Sequence, residues 1–141
     1  MKETNCALAS VLEIIGDKWS LLIIRNLIFL GHHEYKEFLS MPESISTNIL
    51  ANRLKKLEKF GILSFAIHTK YRNRKLYYLT ASGKDLIFIM KEIIFWGDKY
   101  LDNIVLSPHE EDIIANQDYT INSLILKQEA WEHAFVNYKG L

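Results

Sequence analysis

The chain opens with two closely spaced segments whose hydrophobic positions have helical spacing. In residues 7–15 these positions recur three and four residues apart, at Leu8, Val11, Leu12 and Ile15. Residues 18–30 are almost continuously apolar, but the segment contains Arg25 and is shorter than the roughly 20 apolar residues of a membrane span. We therefore predict a helix, a sharp corner and a second, buried helix.

Single residues mark the ends of these and later helices. Asp17 can cap the buried helix, and Gly31 can end it. A short helix is predicted over residues 34–39, and Pro42 breaks it because the residue before a proline avoids helical geometry. Ser46 then caps a helix that ends at Gly61. Its inward positions are Ile49, Leu50, Leu54 and Leu57.

The second half of the chain begins with a period of two. Alternation over residues 63–69 and 75–80 predicts two strands, which the polar turn 70–74 joins as a hairpin. Thr80 caps a long, largely apolar helix that reaches about residue 101. Ser107, Pro108 and Glu110 form a capping box that starts a further helix. A last helix carries four apolar side chains on one side: Leu124, Trp131, Phe135 and Tyr138.

Helix, helix, short helix, turn, helix, hairpin and helix is the order of a winged helix-turn-helix. The predicted fold class is mainly α with a small β-hairpin (α+β), followed by a C-terminal helical extension. We divide the chain into a winged-helix domain at residues 1–101 and an extension at residues 102–141. The apolar side of the extension must be covered by the body of the protein or by a partner subunit.

Charge is strongly segregated along the chain, although the formal net charge is zero. Residues 44–84 hold nine lysines and arginines and one acid, a net +8, so the remainder carries −8. Beyond residue 100 there are seven acids and two lysines. This separation indicates a surface for a polyanion on an acidic body. A solvated helix face would explain the lysines of one helix but not a second basic cluster on the hairpin.

The helix that Ser46 caps carries the most specific functional pattern. In a helix-turn-helix this helix enters the major groove, where hydroxyl and amide side chains pair with base edges. The candidate base-reading residues are Thr47, Asn48 and Asn52. Lys55 and Lys59 are spaced to meet phosphates, and the helix N-terminus at Ser46 can hold one phosphate.

Further candidate contacts come from Arg53 and the hairpin. Helical spacing puts Arg53 among the inward residues, so its guanidinium must reach outward or pair with an acid. The hairpin turn and its flank carry Lys70, Arg72, Arg74 and Lys75. We expect them along the neighbouring backbone or in the minor groove, with Arg72 and Arg74 inserted. Two basic elements that such a fold places against one duplex predict nucleic-acid binding.

Three segments resemble the HxlR-type winged-helix transcription regulators: CALASVLEIIGDKWSLLIIRNL, EYKEFLSMPESISTNILANRLKKLEKFGIL and LYYLTASGKDL with EIIFWGDKYL. The resemblance covers residues 6–101 in order. It rests on Ile-Gly-x-Lys-Trp, on Ile-Ser before Asn-Arg-Leu-Lys-x-Leu-Glu, and on Tyr-x-Leu-Thr-x-x-Gly. It implies DNA-binding homodimers that repress or activate nearby genes, paired through the first and the long last helices.

The chain departs from the family pattern in three places. Ala7 stands where the family usually has proline after the N-terminal cysteine. The hairpin, commonly proline-bearing, here has the sequence Arg72-Asn73-Arg74-Lys75, which makes a more basic wing. About 40 residues follow the long helix, where many members stop.

Cys6 corresponds to a position where several family members carry a thiol that senses oxidants or electrophiles. Reactivity needs a stabilised thiolate, and the neighbours Asn5 and Ala7 carry no cation. The alternative is a small buried hydrophobe. As the one cysteine of the chain, Cys6 excludes an internal disulfide and a multi-cysteine zinc site.

Other candidate sites are weaker. His32 and His33 are adjacent, so they point apart, and no matching ligand cluster is visible; no metal site and no cofactor is predicted. Trp96 and the aromatic residues near it suit packing, with an effector pocket between subunits as the alternative. There is no glycine-rich phosphate loop and no nucleophile–base pair, so an enzyme is not expected.

These observations together predict a dimeric, sequence-specific DNA-binding transcriptional regulator, with repression favoured. The expected partners are double-stranded DNA and a second copy of the chain. A small molecule or an oxidant is considered as an effector, no membrane partner is expected, and the absence of a secretory signal favours the cytoplasm. The alternatives are a protein-interaction module on a winged-helix scaffold and a nonspecific nucleic-acid or RNA binder; the polar row at Thr47, Asn48 and Asn52 favours specific recognition.

Overall fold

The order of elements in the computed structural model, which describes residues 5–136, confirms the predicted winged helix-turn-helix. The elements are α1 (Ala7–Ile15), α2 (Lys18–Leu30), α3 (Tyr35–Leu39), α4 (Thr47–Lys59), β1 (Leu63–Ile67), β2 (Lys75–Leu79), α5 (Ala81–Tyr100), α6 (Pro108–Ala115) and α7 (Gln117–Phe135). Helices dominate, and the two strands form one antiparallel hairpin.

The hairpin is shorter than its alternating sequence predicts. Leu63 pairs with Leu79 and Ile67 with Lys75, so the prediction that the first strand reaches residue 69 is wrong. The cause is local: Nδ1 of His68 accepts hydrogen bonds from the backbone N–H groups of Lys70 and Tyr71, each at 3.1 Å. These bonds turn the backbone away from the ladder after His68, whose own N–H still donates to the carbonyl oxygen of Arg74 at 2.9 Å.

The helix α2 lies at the centre of the core, as its apolar run predicts. Ile23, Ile24 and Leu27 are fully buried, and each such side chain contributes about 1.5–3 kcal/mol to folding. The side chains around them come from every neighbouring element, including Phe38, Leu50, Leu57, Leu63, Leu79 and Ile87. Gly31 ends α2 with a φ of 64°, a left-handed conformation that glycine adopts without strain.

Arg25 leaves this core at its edge and forms a two-point ion pair. Its Nη1 and Nη2 lie 2.7 and 2.8 Å from the two carboxylate oxygens of Glu43. The hydrogen bonds from Arg25 lower the pKa of Glu43 below its ordinary value. The pair therefore ties α2 to the turn that leads into α4, and it keeps its charge at neutral pH.

The C-terminal helices pack on the body of the protein. Ser107 and Glu110 form the predicted capping box. Ile113, Ile121 and Leu124 are buried in the same core as α2, and Trp131 is partly buried, whereas Phe135 is 45% exposed. Of the predicted apolar side of the last helix, Tyr138 lies outside the described residues. Among residues 5–136, no helix is both long and apolar enough to cross a membrane.

Asp17 links the start of α2 to α4. Its Oδ1 accepts hydrogen bonds from the N–H groups of Trp19 and Ser20, both at 2.9 Å, which confirms the predicted cap. Arg53 Nε lies 3.0 Å from the same oxygen. Partial burial raises the pKa of Asp17, but hydrogen bonds from Ser20 and Arg53 outweigh it and lower that pKa to about 2.

We expect Asp17→Ala to lower the free energy of unfolding by about 1–2 kcal/mol, because it removes both the cap and the ion pair. Asp17→Asn keeps a capping oxygen and should lower the free energy of unfolding by less than half as much.

The charge contribution of Asp17 to stability is present above its unfolded pKa of 3.8 and is lost as pH falls towards about 2. The difference between wild type and Asp17→Asn, measured by urea unfolding, should shrink over that range. Equal losses for the Ala and Asn variants would contradict the assigned capping role.

Candidate nucleic-acid interface

The outward face of α4 carries the polar side chains that the sequence assigns to it. Ser46 Oγ accepts a hydrogen bond from the N–H of Ile49 at 3.2 Å and so caps the helix. Leu50, Leu54 and Leu57 bury the opposite face. The candidate DNA-contacting residues that are exposed here are Ser46, Thr47, Asn48, Asn52, Lys55 and Lys59, and Glu58 is exposed near the end of the helix. The helix therefore presents hydroxyl, amide and ammonium groups to solvent along one surface.

The start of α4 is held in place by contacts from the preceding helix-turn region. The Tyr35 hydroxyl donates a hydrogen bond to the carbonyl oxygen of Thr47 at 2.9 Å. The ion pair between Arg25 and Glu43 fixes the turn just before it. Both contacts limit rotation of the α4 N-terminus, where the candidate base-reading residues lie.

Arg53 pairs with an acid, which is one of the two arrangements that its position in the sequence predicts. Its Nε contacts Asp17, and its Nη1 donates to Oδ1 of Asn52 at 2.5 Å. The guanidinium thus lies between the core edge and the exposed face and orients the Asn52 amide. Direct contact of Arg53 with a phosphate remains a prediction.

The basic residues of the hairpin differ in how firmly they are held. Arg74 forms an ion pair with Glu34 and lies over the ring of Tyr71, 5.2 Å from its centroid. Lys70 also lies over Tyr71, at 5.4 Å, and Lys75 lies over Phe65, at 4.2 Å. Arg72 is exposed in the turn and forms no ion pair with any residue between 5 and 136. This arrangement favours Arg72 over Arg74 as a group that reaches into DNA.

Cys6 is exposed at the N-cap of α1, which disagrees with the alternative of a small buried hydrophobe. Its carbonyl oxygen accepts the N–H of Ser10 at 2.9 Å. Leu8 and Leu12, on the same helix, are 68% and 52% exposed. The thiol is therefore accessible beside an uncovered apolar surface.

The two adjacent histidines have structural roles that spacing alone does not indicate. His33 is 5% exposed, and its Nδ1 lies 2.7 Å from the carbonyl oxygen of Tyr77. His32 Nδ1 lies 3.4 Å from Nδ2 of Asn26, so the two rings do point apart. Within the described part of the chain, no three histidine, cysteine or acidic side chains are grouped to hold a metal ion.

A cavity of about 560 Å³ lies between α2, α5 and the start of α6. Its lining is mostly apolar and includes Leu22, Phe29, Met90 and Ile94. Trp96 does not line this cavity; it is 59% exposed and packs against Tyr100, with ring centroids 5.3 Å apart.

This arrangement of helices and hairpin matches a known protein family. The family model for HxlR-like helix-turn-helix proteins matches residues 14–105, which include α2 to α5. The chain belongs to the HxlR-like helix-turn-helix family. The resemblance stated from the sequence is thereby confirmed, and α6 and α7 lie beyond the matched region.

Several similar proteins are also described as transcriptional regulators. YdeP of Bacillus subtilis, an uncharacterized HTH-type transcriptional regulator, is 29% identical over 100 residues, which is 71% of this chain and 77% of YdeP. The reduced form of the transcriptional regulator YodB from B. subtilis has a TM-score of 0.58 at 28% identity, over 72% of this chain and 100% of YodB. The redox regulator HypR in its oxidized form has a TM-score of 0.60 at 28% identity, over 69% and 99% of the two chains. This family member is accordingly a DNA-binding transcriptional regulator and not an enzyme.

We expect Arg72→Ala to weaken binding to every duplex, because a phosphate contact carries no base information. The logarithm of the binding constant falls linearly with the logarithm of the salt concentration, and this slope should become less steep by about one unit per lost contact. Titrations of a fluorescent duplex at several salt concentrations measure this slope. Lys127→Ala, on α7 and outside the basic segment, is the matched control and should leave it unchanged. An unaltered slope for Arg72→Ala would mean that this side chain does not meet the backbone.

Proposed function

We propose that this chain is a homodimeric, sequence-specific regulator that inserts α4 into the major groove and lays the hairpin along the adjacent backbone. Asn48, Asn52 and Thr47 would contact base edges, whereas Lys55 and Lys59 would contact phosphates together with Ser46 at the helix N-terminus. The remaining hairpin contacts come from Lys70, Arg72, Arg74 and Lys75. The observation that carries this proposal is the exposed amide pair on α4, flanked by basic residues within a segment of net charge +8.

Two exposed apolar surfaces support the homodimer. On α5, Phe88, Ile93 and Trp96 are 46%, 52% and 59% exposed, and on α1 Leu8 and Leu12 are more than half exposed. Exposed apolar side chains concentrated on two helices are typical of an interface with another protein chain. Two-fold pairing would set the two copies of α4 about 34 Å apart, one helical turn of a palindromic site.

The proposal includes repression, residence in the cytoplasm, and Cys6 as the point where an oxidant or electrophile acts. The accessible thiol at the N-cap of α1 supports the last of these, because that helix belongs to the proposed interface. HypR is a redox regulator, and its similarity favours the same class of signal here. We treat residues 1–101 as the DNA-binding and dimerisation unit and residues 102–141 as an extension of it.

Binding to the DNA upstream of the chain's own gene, compared with random duplex at matched salt, tests the function. Asn48→Ala and Asn52→Ala should each weaken binding to the operator by about 1–3 kcal/mol, the value of a bidentate base contact. Binding to random duplex should change little. Lys36→Ala, on the exposed side of α3, serves as a control for surface changes near the site. Equal losses on operator and random DNA would reject the base-reading role of the two asparagines.

Ile93→Glu should dissociate the dimer, because it places a charge in the centre of the proposed apolar interface. Leu126→Glu is the matched control, since Leu126 is 63% exposed on α7, outside that surface. Sedimentation velocity at micromolar concentration should show a dimer for the wild type and the control, and a monomer for Ile93→Glu. A wild-type monomer at that concentration would contradict both the dimer and the palindromic site.

A further inference from the structure

Strand β2 of the hairpin is held from outside the sheet by the connection between α2 and α3. The N–H of Tyr77 donates to the carbonyl oxygen of His33 at 2.8 Å, and Nδ1 of His33 lies 2.7 Å from the carbonyl oxygen of Tyr77. One residue thus binds both backbone groups of the middle residue of β2, on the edge that β1 leaves open. His33 occupies the place of a third strand.

The second link from this connection reaches the hairpin turn. Glu34 follows His33 and forms the ion pair with Arg74, the residue just before β2. The Glu34 carboxylate also belongs to the capping box of α3. Strand β2 is therefore attached to residues 33–34 at two points, its middle residue Tyr77 and the residue just before it, Arg74.

The ring of His33 is covered by α7. Trp131 stacks on it with ring centroids 3.6 Å apart and an angle of 6° between the planes. Trp131 also lies near Tyr78 of β2, at 6.4 Å between centroids. Since His33 is 5% exposed, the indole face is a main part of what keeps water from the hydrogen bond to Tyr77.

Two polar contacts fix α7 in this position. Nε2 of Gln128 donates to the carbonyl oxygen of Leu27 at 2.6 Å, and both groups are buried. That carbonyl lies in the last turn of α2, where no intrahelical partner is available, so Gln128 caps the helix from a distant part of the chain. Glu132 pairs with Lys84 at 2.8 Å in the first part of α5. These bonds set Trp131 directly over His33.

We propose that Trp131 is a positioning residue, through which the C-terminal helix α7 holds the wing in its DNA-contacting orientation. The inference rests on the proposed function and adds a specific task for the extension. Without the indole, His33 is open to water, its hold on Tyr77 weakens, and the direction of the hairpin is no longer fixed. Arg72 then contacts the DNA backbone in only a fraction of the complexes, while the residues of α4 continue to contact the bases.

The test compares Trp131→Ala with Arg72→Ala in salt-dependent titrations of the operator duplex. Trp131→Ala should weaken operator binding roughly three- to tenfold at physiological salt and lower the salt slope by about one unit per protomer, as Arg72→Ala does. The ratio of operator to random binding should stay as in the wild type. Trp131→Phe keeps a stacking ring and should restore the slope. Tyr119→Ala removes an exposed aromatic ring from the same helix and should change neither quantity.

The double variant separates positioning from general destabilisation. If Trp131 acts through the wing, adding Trp131→Ala to Arg72→Ala produces no further fall in the salt slope, because the contact is already absent. If Trp131→Ala does not fold, as judged by circular dichroism, Trp131→Leu keeps apolar volume without a ring face and takes its place. Folded Trp131→Ala or Trp131→Leu protein with the wild-type slope overturns the inference. Wild-type protein that binds no duplex overturns the proposed function and the inference with it.

Discussion

The placement of the proposed DNA-binding surface depends on the contacts of the Asp17 carboxylate. This carboxylate accepts the first free N–H groups of α2 and also pairs with Arg53 of α4. A partly buried guanidinium needs such a partner, because leaving it unpaired away from water is costly. With Arg53 held there, the rotation of α4 about its own axis is fixed. Asn48 and Asn52 consequently face solvent, and the leucines on the other side face the core.

The opposite end of α2 has a comparable role for the wing. Its last turn receives the Gln128 amide, and the residues that follow it bind β2 through His33. One central helix therefore orients α4, the proposed base-reading helix, at its N-terminus and the hairpin at its C-terminus. Because the helix is rigid and buried, the distance between α4 and the hairpin, the two proposed DNA-contacting elements, is set within each protomer and does not depend on the hairpin alone.

Local signals explain how much of this was predictable. The caps at Asp17, Ser46, Thr80 and Ser107 each act within three residues, so the sequence pattern locates the helices. The sequence predicts two arrangements for the Arg53 side chain, reaching outward or pairing with an acid. The acid, Asp17, lies 36 residues away, so only the folded structure shows which arrangement occurs. Gln128 and Leu27 are 101 residues apart, and no periodicity indicates such a pair. The predicted length of β1 is too great for another reason: the His68 side chain accepts hydrogen bonds from backbone N–H groups that follow it.

The helix α5 connects these protomer contacts to the proposed dimer. Its N-cap is Thr80, whose N–H donates to the carbonyl oxygen of Ile62 at 3.0 Å beside the hairpin, and its 20 residues extend about 30 Å. Lys84 near its start binds Glu132 of α7, whereas Ile93 and Trp96 towards its end are exposed. A rigid helix transmits a tilt along its whole length. In the proposed dimer, a change in packing at the exposed end would therefore move the hairpin and its support from α7 together, because both are attached to the other end.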